Sequence, residues 1–266
     1  MGDGIEILFE DNHLLVINKP AGLATMGTGD SHSAHGWGCR YIRRRYGKPG
    51  KVFLAVVHRL DAMTSGVLVL ARTSKAASRM SEQFRRQTAG VEKIYLAVAS
   101  GNLPELQGTF RDRVYKDEAA HRMRLAGPNH GPAGVSAGQL AILDYRVLRR
   151  GRMPAAAKDS TSGGGGREYC LLAVRLRTGR KHQIRVQLGG RGHIIWGDAK
   201  YGDLHHQLGG RSESGIALHA ASLTIEHPVG RQRMTFRCRP PESWGRFSPT
   251  APEWEQALAP WAAETA

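Results

Sequence analysis

The 266 residues carry 38 Lys and Arg against 23 Asp and Glu, a formal charge of +15 that is the footprint of a protein neutralising a polyanion. No apolar run reaches the roughly 18 residues of a membrane span, and no charged segment followed by an apolar core marks a secretory leader. Three cysteines far apart in sequence, Cys39, Cys170 and Cys238, make no disulfide framework, so a reducing, cytoplasmic location is expected.

Two short apolar runs, Ile5 to Phe9 and Leu14 to Asn18, flank Glu10-Asp11-Asn12-His13 and read as a hairpin. Lys19-Pro20-Ala21-Gly22 ends its second strand. Residues 24 to 51 are rich in Gly, His and Arg, with a helix expected around Gly38 to Tyr46 and a basic, surface-exposed character. Val52 to Val57 and Val67 to Ala71 are runs of β-formers apolar enough for central strands. Between them lies His58-Arg59-Leu60-Asp61, followed by a Thr64-Ser65-Gly66 turn. A carboxylate there would sit on a rigid frame. By spacing alone, an Asp in such a turn is most often a backbone acceptor.

Thr73 or Ser74 can cap a helix to about Gln87, with Ala77, Met80 and Phe84 on one face and Lys75, Arg79, Arg85 and Arg86 on the other. Lys93 to Val98 reads as a strand that carries Tyr95. Strands near Thr109 to Tyr115, His121 to Leu125 and Gln139 to Val147 suggest an antiparallel meander. Residues 150 to 167, with Gly163 to Gly166 among them, have the composition of a flexible insertion. Glu168 to Arg177 is a further strand, and Thr178-Gly179-Arg180 turns into a helix from Lys181 to about Leu188. The last strands are expected at Ala217 to Ile225 and Arg231 to Cys238. A closing helix spans Pro252 to Ala263, with Trp254, Leu258 and Trp261 on one side.

The string His58-Arg59-Leu60-Asp61-x-x-Thr64-Ser65-Gly66 resembles the signature of the RluA-type family of RNA pseudouridine synthases. Asp11 to Leu23 is similar to that family's first motif, and Thr178-Gly179-Arg180-Lys181-His182-Gln183-Ile184-Arg185 to its Thr-Gly-Arg-x-His-Gln-Ile-Arg pattern. Gly192-His193 and Gly197-Asp198-x-x-Tyr201-Gly202 follow, and Leu218-His219-Ala220 with His227-Pro228 resembles the final motif. The resemblance runs from about Leu14 to Pro228. It departs at Gln187, where a His is usual, at Ile194, where a Pro is usual, and after Gly22.

The resemblance implies an α+β pseudouridine synthase fold with a mixed, mainly antiparallel sheet, flanking helices and a central basic cleft. One catalytic domain over residues 1–266 is expected, and because the first motif begins close to the start of the sequence, no separate N-terminal RNA-binding module is expected. The implied reaction isomerises uridine in ribosomal or transfer RNA: the N1–C1′ bond breaks, the base rotates, and C5 joins C1′. No cofactor or metal is required. Asp61 would be the catalytic carboxylate, and Arg185, preferred to Arg180, the cation that keeps it ionised. Tyr95, also counted as catalytic, would stack on the uracil with its phenol near the base edge to help proton removal, Arg59 would fill the space left by the flipped base, and Leu218 would pack against that base. His58 and Arg180 complete the expected substrate-binding set.

Other readings are weaker. His32-x-x-His35-x-x-x-Cys39 has metal-like spacing but no obvious further ligand. A glycosidase needs a carboxylate pair, for which only Asp198 offers itself beside Asp61. No P-loop, and no GxGxxG placed between a strand and a helix, supports a nucleotide cofactor. The principal alternative is an RNA-binding protein of this fold that has lost catalysis.

Overall fold

The computed structural model describes residues 4–27, 32–86, 90–127, 138–153, 167–202 and 215–261. In chain order the elements are β1 (Ile7–Glu10), β2 (Leu14–Lys19), α1 (Ala34–Tyr46), β3 (Ala55–Val56), β4 (Ser65–Ala71), α2 (Ser74–Arg86), β5 (Glu92–Ser100) and β6 (Gln107–Asp117). There follow β7 (Arg122–Leu125), β8 (Gln139–Arg152), β9 (Glu168–Leu176), α3 (Gln183–Gly189), β10 (Leu218–Glu226), β11 (Arg233–Arg237) and α4 (Ala251–Leu258). The chain forms two compact units, Met1–Tyr95 with Gly209–Ser243, and Leu96–Leu208 with Trp244–Ala266.

In the first unit, β4 is the central strand. It pairs antiparallel with β2 from Leu14↔Ala71 to Lys19↔Gly66, and β1 continues the sheet beyond β2. Along its other edge the beginning of β4 pairs in parallel with β10, His219↔Ser65 and Ala220↔Gly66, and its end pairs with β3. β11 pairs antiparallel with β10. All seven residues of β4 are buried, which is why the strand reads as an unbroken apolar run.

Alternation sorts that sheet into two faces. Leu14, Val16, Val67, Val69, Leu223 and Ile225 gather with Met80 of α2 on one side. Leu15, Ile17, Leu68 and Leu70 gather with Ala34 and Ile42 of α1 on the other. Helix α1 lies close to the sheet because Gly38 has no side chain. A Cβ there would meet Leu54 at 2.7 Å and Leu15 and Leu70 at 3.4 Å. Ser33 caps α1 by accepting from the Gly36 N–H, and Gly47 ends it at φ 59°. Thr73 accepts from the Ala76 N–H at the start of α2, as its position in the sequence suggests.

In the second unit, β9, β8, β6 and β7 lie side by side in that order, all antiparallel, with a register shift in β8 between Val147 and Arg149; the expected meander is not formed, because β8 pairs with β6 and not with β7, the strand before it. Helix α3 sets Val186 against Val114 and Ala141, with Leu125 and Tyr201 beside them. Helix α4 starts on a reciprocal cap between Thr250 and Glu253.

Three further expectations change. The strand foreseen over Val52 to Val57 is confined to Ala55–Val56, because only these residues find partners on β4, and Phe53 is exposed. Helix α1 starts four residues earlier than expected, at Ala34. Helix α3 starts later than Lys181, because His182 adopts the left-handed conformation at φ 54°. Of the expected insertion, residues 150–152 continue β8 and residues 154–166 lie outside the described residues. Among the described residues, no helix is long and apolar enough to cross a membrane.

Candidate functional site

Asp61 stands in the turn that feeds β4, and the backbone of that turn is held at four consecutive carbonyls. Thr25 Oγ1 donates to Leu60 O at 2.7 Å and accepts from Leu60 N–H at 3.1 Å. Thr64 N–H donates to Asp61 O at 3.0 Å and Ile216 N–H to Met63 O at 3.2 Å. The fourth donor is Lys19, whose Nζ reaches Ala62 O at 3.1 Å as well as Pro20 O at 2.8 Å and Leu23 O at 2.7 Å. A turn with so many fixed carbonyls presents its aspartate in one place.

Lys19 is the residue that sequence reasoning missed. It is fully buried at the end of β2, where a lysine reads as the point at which the strand reaches solvent. Burial lowers its ammonium from the ordinary value to about 7, and the charge of Asp61 works against that shift. The one available signal was a cation closing a wholly apolar strand immediately before Pro20 and Gly22.

Tyr95, half-buried in β5, packs against the α1 side of the first unit's core. Burial first, and then the charge of Asp61, push its phenol well above the ordinary range. Asp61 is thus felt at both Lys19 and Tyr95. Leu218 is buried at the start of β10, next to His219, which pairs with Ser65 of the same turn region. Arg59 is exposed. His58 points the other way: its Nε2 accepts the Val69 N–H at 2.9 Å, and its ring stacks on Phe84 with centroids 4.6 Å apart. Burial, aided by Lys93, takes its pKa down to about 3, so the ring is neutral and braces β4.

The cationic motif lies in the second unit. Arg185, on α3, forks onto Asp198 through Nε (2.7 Å) and Nη2 (2.8 Å), with its guanidinium 5.1 Å from the centre of the Tyr201 ring. Asp198 also accepts from the backbone N–H groups of Lys200 and Tyr201. Its chemistry here is to orient an arginine, which is a different task from that of a glycosidase carboxylate. Arg180 donates from Nε to Leu140 O at 2.9 Å, while Gln183 ties the turn by accepting from Arg180 N–H and from Thr178. Gln187, in place of the family's usual His, is buried and donates to Asp112 at 2.7 Å.

Among the described residues, no three His, Cys, Asp or Glu side chains gather as a metal site. In the segment with metal-like spacing, His35 Nε2 contacts Leu54 O at 2.9 Å and lies 3.8 Å from Cys39 Sγ.

Comparison with known proteins adds the following. A family model described as RNA pseudouridylate synthase matches residues 13–189. The chain is 34% identical over 226 residues to an uncharacterized RNA pseudouridine synthase of Bacillus subtilis, YhcT, covering 85% of this chain and 65% of that protein. It is 30% identical over 243 residues to tRNA pseudouridine synthase C of Pectobacterium carotovorum, covering 90% of this chain and 60% of that one. It therefore spans less than two thirds of the length of these two relatives. The solved structure of human RNA pseudouridylate synthase domain containing 1 superposes with a TM-score of 0.69 at 24% identity, covering 97% of both chains, and shows the shared fold.

Proposed function

The chain belongs to the RNA pseudouridylate synthase family, and from that premise we propose that it is an isomerase converting uridine to pseudouridine in transfer or ribosomal RNA. The observation that carries the reading is the Asp61 turn: a carboxylate on a backbone fixed at residues 60 to 63, beside a buried lysine and a half-buried tyrosine.

The reaction needs one ionised carboxylate that acts at the ribose as uracil leaves, and it exchanges nothing with a cofactor. Asp61 fills that role in our reading. Lys19 fixes the turn and, below its lowered pKa of about 7, supplies positive charge near the carboxylate. Tyr95 holds its proton at neutral pH, because burial and Asp61 both disfavour the phenolate, and so it serves as a stacking ring and hydrogen-bond donor to uracil. Arg59 is exposed on the residue pair preceding the turn, where it can enter the stack that the flipped uridine vacates. Leu218 supplies an apolar contact for the base. Arg185 is given the cationic role on the strength of its motif alone, and within its own unit Asp198 fixes its rotamer. The one-domain reading belongs to the same proposal, since family motifs lie in both units. A cytoplasmic location is part of the same proposal, as a protein acting on transfer or ribosomal RNA would work there.

The test is pseudouridine mapping on total RNA from cells lacking the protein, complemented with wild type or with Asp61→Asn. Sites that return with wild type alone support the proposal. If Asp61→Asn restores them equally, Asp61 is not the catalytic group. If no site depends on the protein at all, the reading becomes that of an RNA-binding protein without catalysis.

A further inference from the structure

The segment from α1 to the start of β3 carries charge that the Asp61 site does not use. Between Ser31 and Ser81 the chain has ten Lys or Arg residues and one carboxylate, Asp61. Arg43, Arg44, Arg45, Lys48 and Lys51 are all exposed, clustered at the end of α1 and just beyond it. Two large aromatic side chains are exposed among them, Tyr46 at 48% and Phe53 at 52%.

Tyr46 is held in place. Its hydroxyl donates to Glu10 at 2.7 Å, and the Arg72 guanidinium lies 4.7 Å from its ring centre while bonded to the same Glu10 at 2.9 Å. An aromatic ring fixed at its edge and on one face, with half its surface in water and cations around it, has the form of a base-stacking platform. The local placement is also favourable. The first residue of α1 is tied to the Asp61 turn, because Ala34 and His35 donate to Ala24 and Thr25, and Thr25 bonds Leu60. From there the 13-residue helix carries Tyr46 away from the turn by about 18 Å, at ~1.5 Å per residue. That reach equals roughly five stacked nucleotides at ~3.4 Å each.

We propose that the exposed end of α1, Arg43, Arg44, Arg45 and Lys48 with Lys51 and the Tyr46 platform, binds single-stranded RNA flanking the uridine presented to Asp61. This rests on the proposed function for the identity of the RNA, and on the local charge and the Tyr46 geometry for the surface. Cations in a last helical turn also complement the helix dipole, so the test separates the two roles.

The probe is a fluorescent 12-nucleotide oligouridylate, titrated between 50 and 200 mM salt against wild type, R43Q/R44Q/K48Q, K48Q/K51Q and Tyr46→Leu. The second variant leaves the last turn of α1 intact. The slope of log affinity against log salt should fall by about 2 in the triple variant and by about 1.4 in the double, at ~0.7 per phosphate contact on single strands. Tyr46→Leu should weaken binding about tenfold with little change in slope. With cellular RNA as substrate, KM should rise in all three variants and kcat should hold. Unchanged affinity and slope in both charge variants overturn the proposal, and a lowered melting temperature alone then assigns the cations to the helix end. If wild type makes no pseudouridine but the slopes fall as expected, the surface stands and the activity reading fails. If wild type makes product and the slopes do not move, the reverse holds.

Discussion

Lys19 ties the end of β2 to the Asp61 turn. Its ammonium has no exposed surface, and three backbone carbonyls surround it, one of them in the Asp61 turn. Lys19→Met keeps the apolar stem and removes the donor. An unsatisfied buried carbonyl costs about 1–3 kcal/mol, and release of Ala62 loosens the Asp61 turn. We expect kcat to fall at least tenfold by pseudouridine assay, since a displaced carboxylate loses much of its effect. The change also has a pH signature. The folded-state pKa of Lys19 is lowered to about 7 from 10.5, so between those values the unfolded chain holds a proton that the native chain lacks. Wild-type stability therefore gains up to about 1.4 kcal/mol per pH unit from this residue as pH rises through that window. Lys93, lowered to about 8 by burial, is common to both proteins and cancels in their comparison. Urea unfolding at pH 7 and pH 9.5 should find the gap between wild type and Lys19→Met wider at the higher pH. A gap that narrows would remove Lys19 from the set of buried ammonium groups.

At the scale of elements, the join between β4 and β10 is the narrowest part of the first unit's sheet. The parallel register covers two pairs, His219↔Ser65 and Ala220↔Gly66, and it positions both Leu218 and the end of the Asp61 turn. Gly66 makes that join possible. It sits at φ 117°, and a Cβ there would lie 2.6 Å from the nitrogen and 2.8 Å from the carbonyl carbon of Ala220, backbone atoms that cannot turn aside. Gly66→Ala should cost on the order of 3 kcal/mol or more, a fall in Tm of roughly 6–12 °C for a chain of this size. Thermal melts followed by circular dichroism check this, and a variant that melts with wild type would mean the strands part without loss. The sequence made β2 and β4 legible, because period-2 apolar residues that pack on both faces leave an unbroken run. It could not show that Val52 and Phe53 lack a partner strand, since pairing is settled by residues far along the chain. Nor could it show that His182 turns left-handed and delays α3. The motif-bearing residues Asp61, Tyr95 and Arg185 were legible as residue types. Lys19 was not, because burial of a lysine depends on carbonyls drawn from three places, one of them 43 residues away.

For the molecule as a whole, buried neutral histidines set the response to acid. His219 is fully buried. Its Nε2 donates to Cys238 O at 2.9 Å, which leaves Nδ1 to accept from Ser65 Oγ at 2.8 Å. Burial takes its pKa down to about 4, opposed by the bond to Cys238, and His58 is lowered to about 3. Both folded-state values lie below the ordinary 6.5. As pH falls from 6.5 toward 4, the unfolded chain takes up protons that the native chain refuses, so stability drops through that window. The carboxylates held low in the fold act further down, Asp11, Asp117 and Asp144 below their ordinary 3.8 and the exposed Glu82 below its ordinary 4.5. Loss of stability should therefore begin near pH 6.5, with His219 alone contributing up to about 1.4 kcal/mol per pH unit. Self-repulsion of a chain already at +15 could imitate such a profile, but repulsion is screened by salt and the protonation of a buried ring is not. Urea midpoints measured from pH 6.5 to 4.5 should fall with a similar slope in 0.15 M and 1 M salt. His219→Gln, which can still donate to Cys238 and accept from Ser65, should flatten that slope by about one proton. A wild-type slope that vanishes at 1 M salt would transfer the acid sensitivity from the buried histidines to the surface charge.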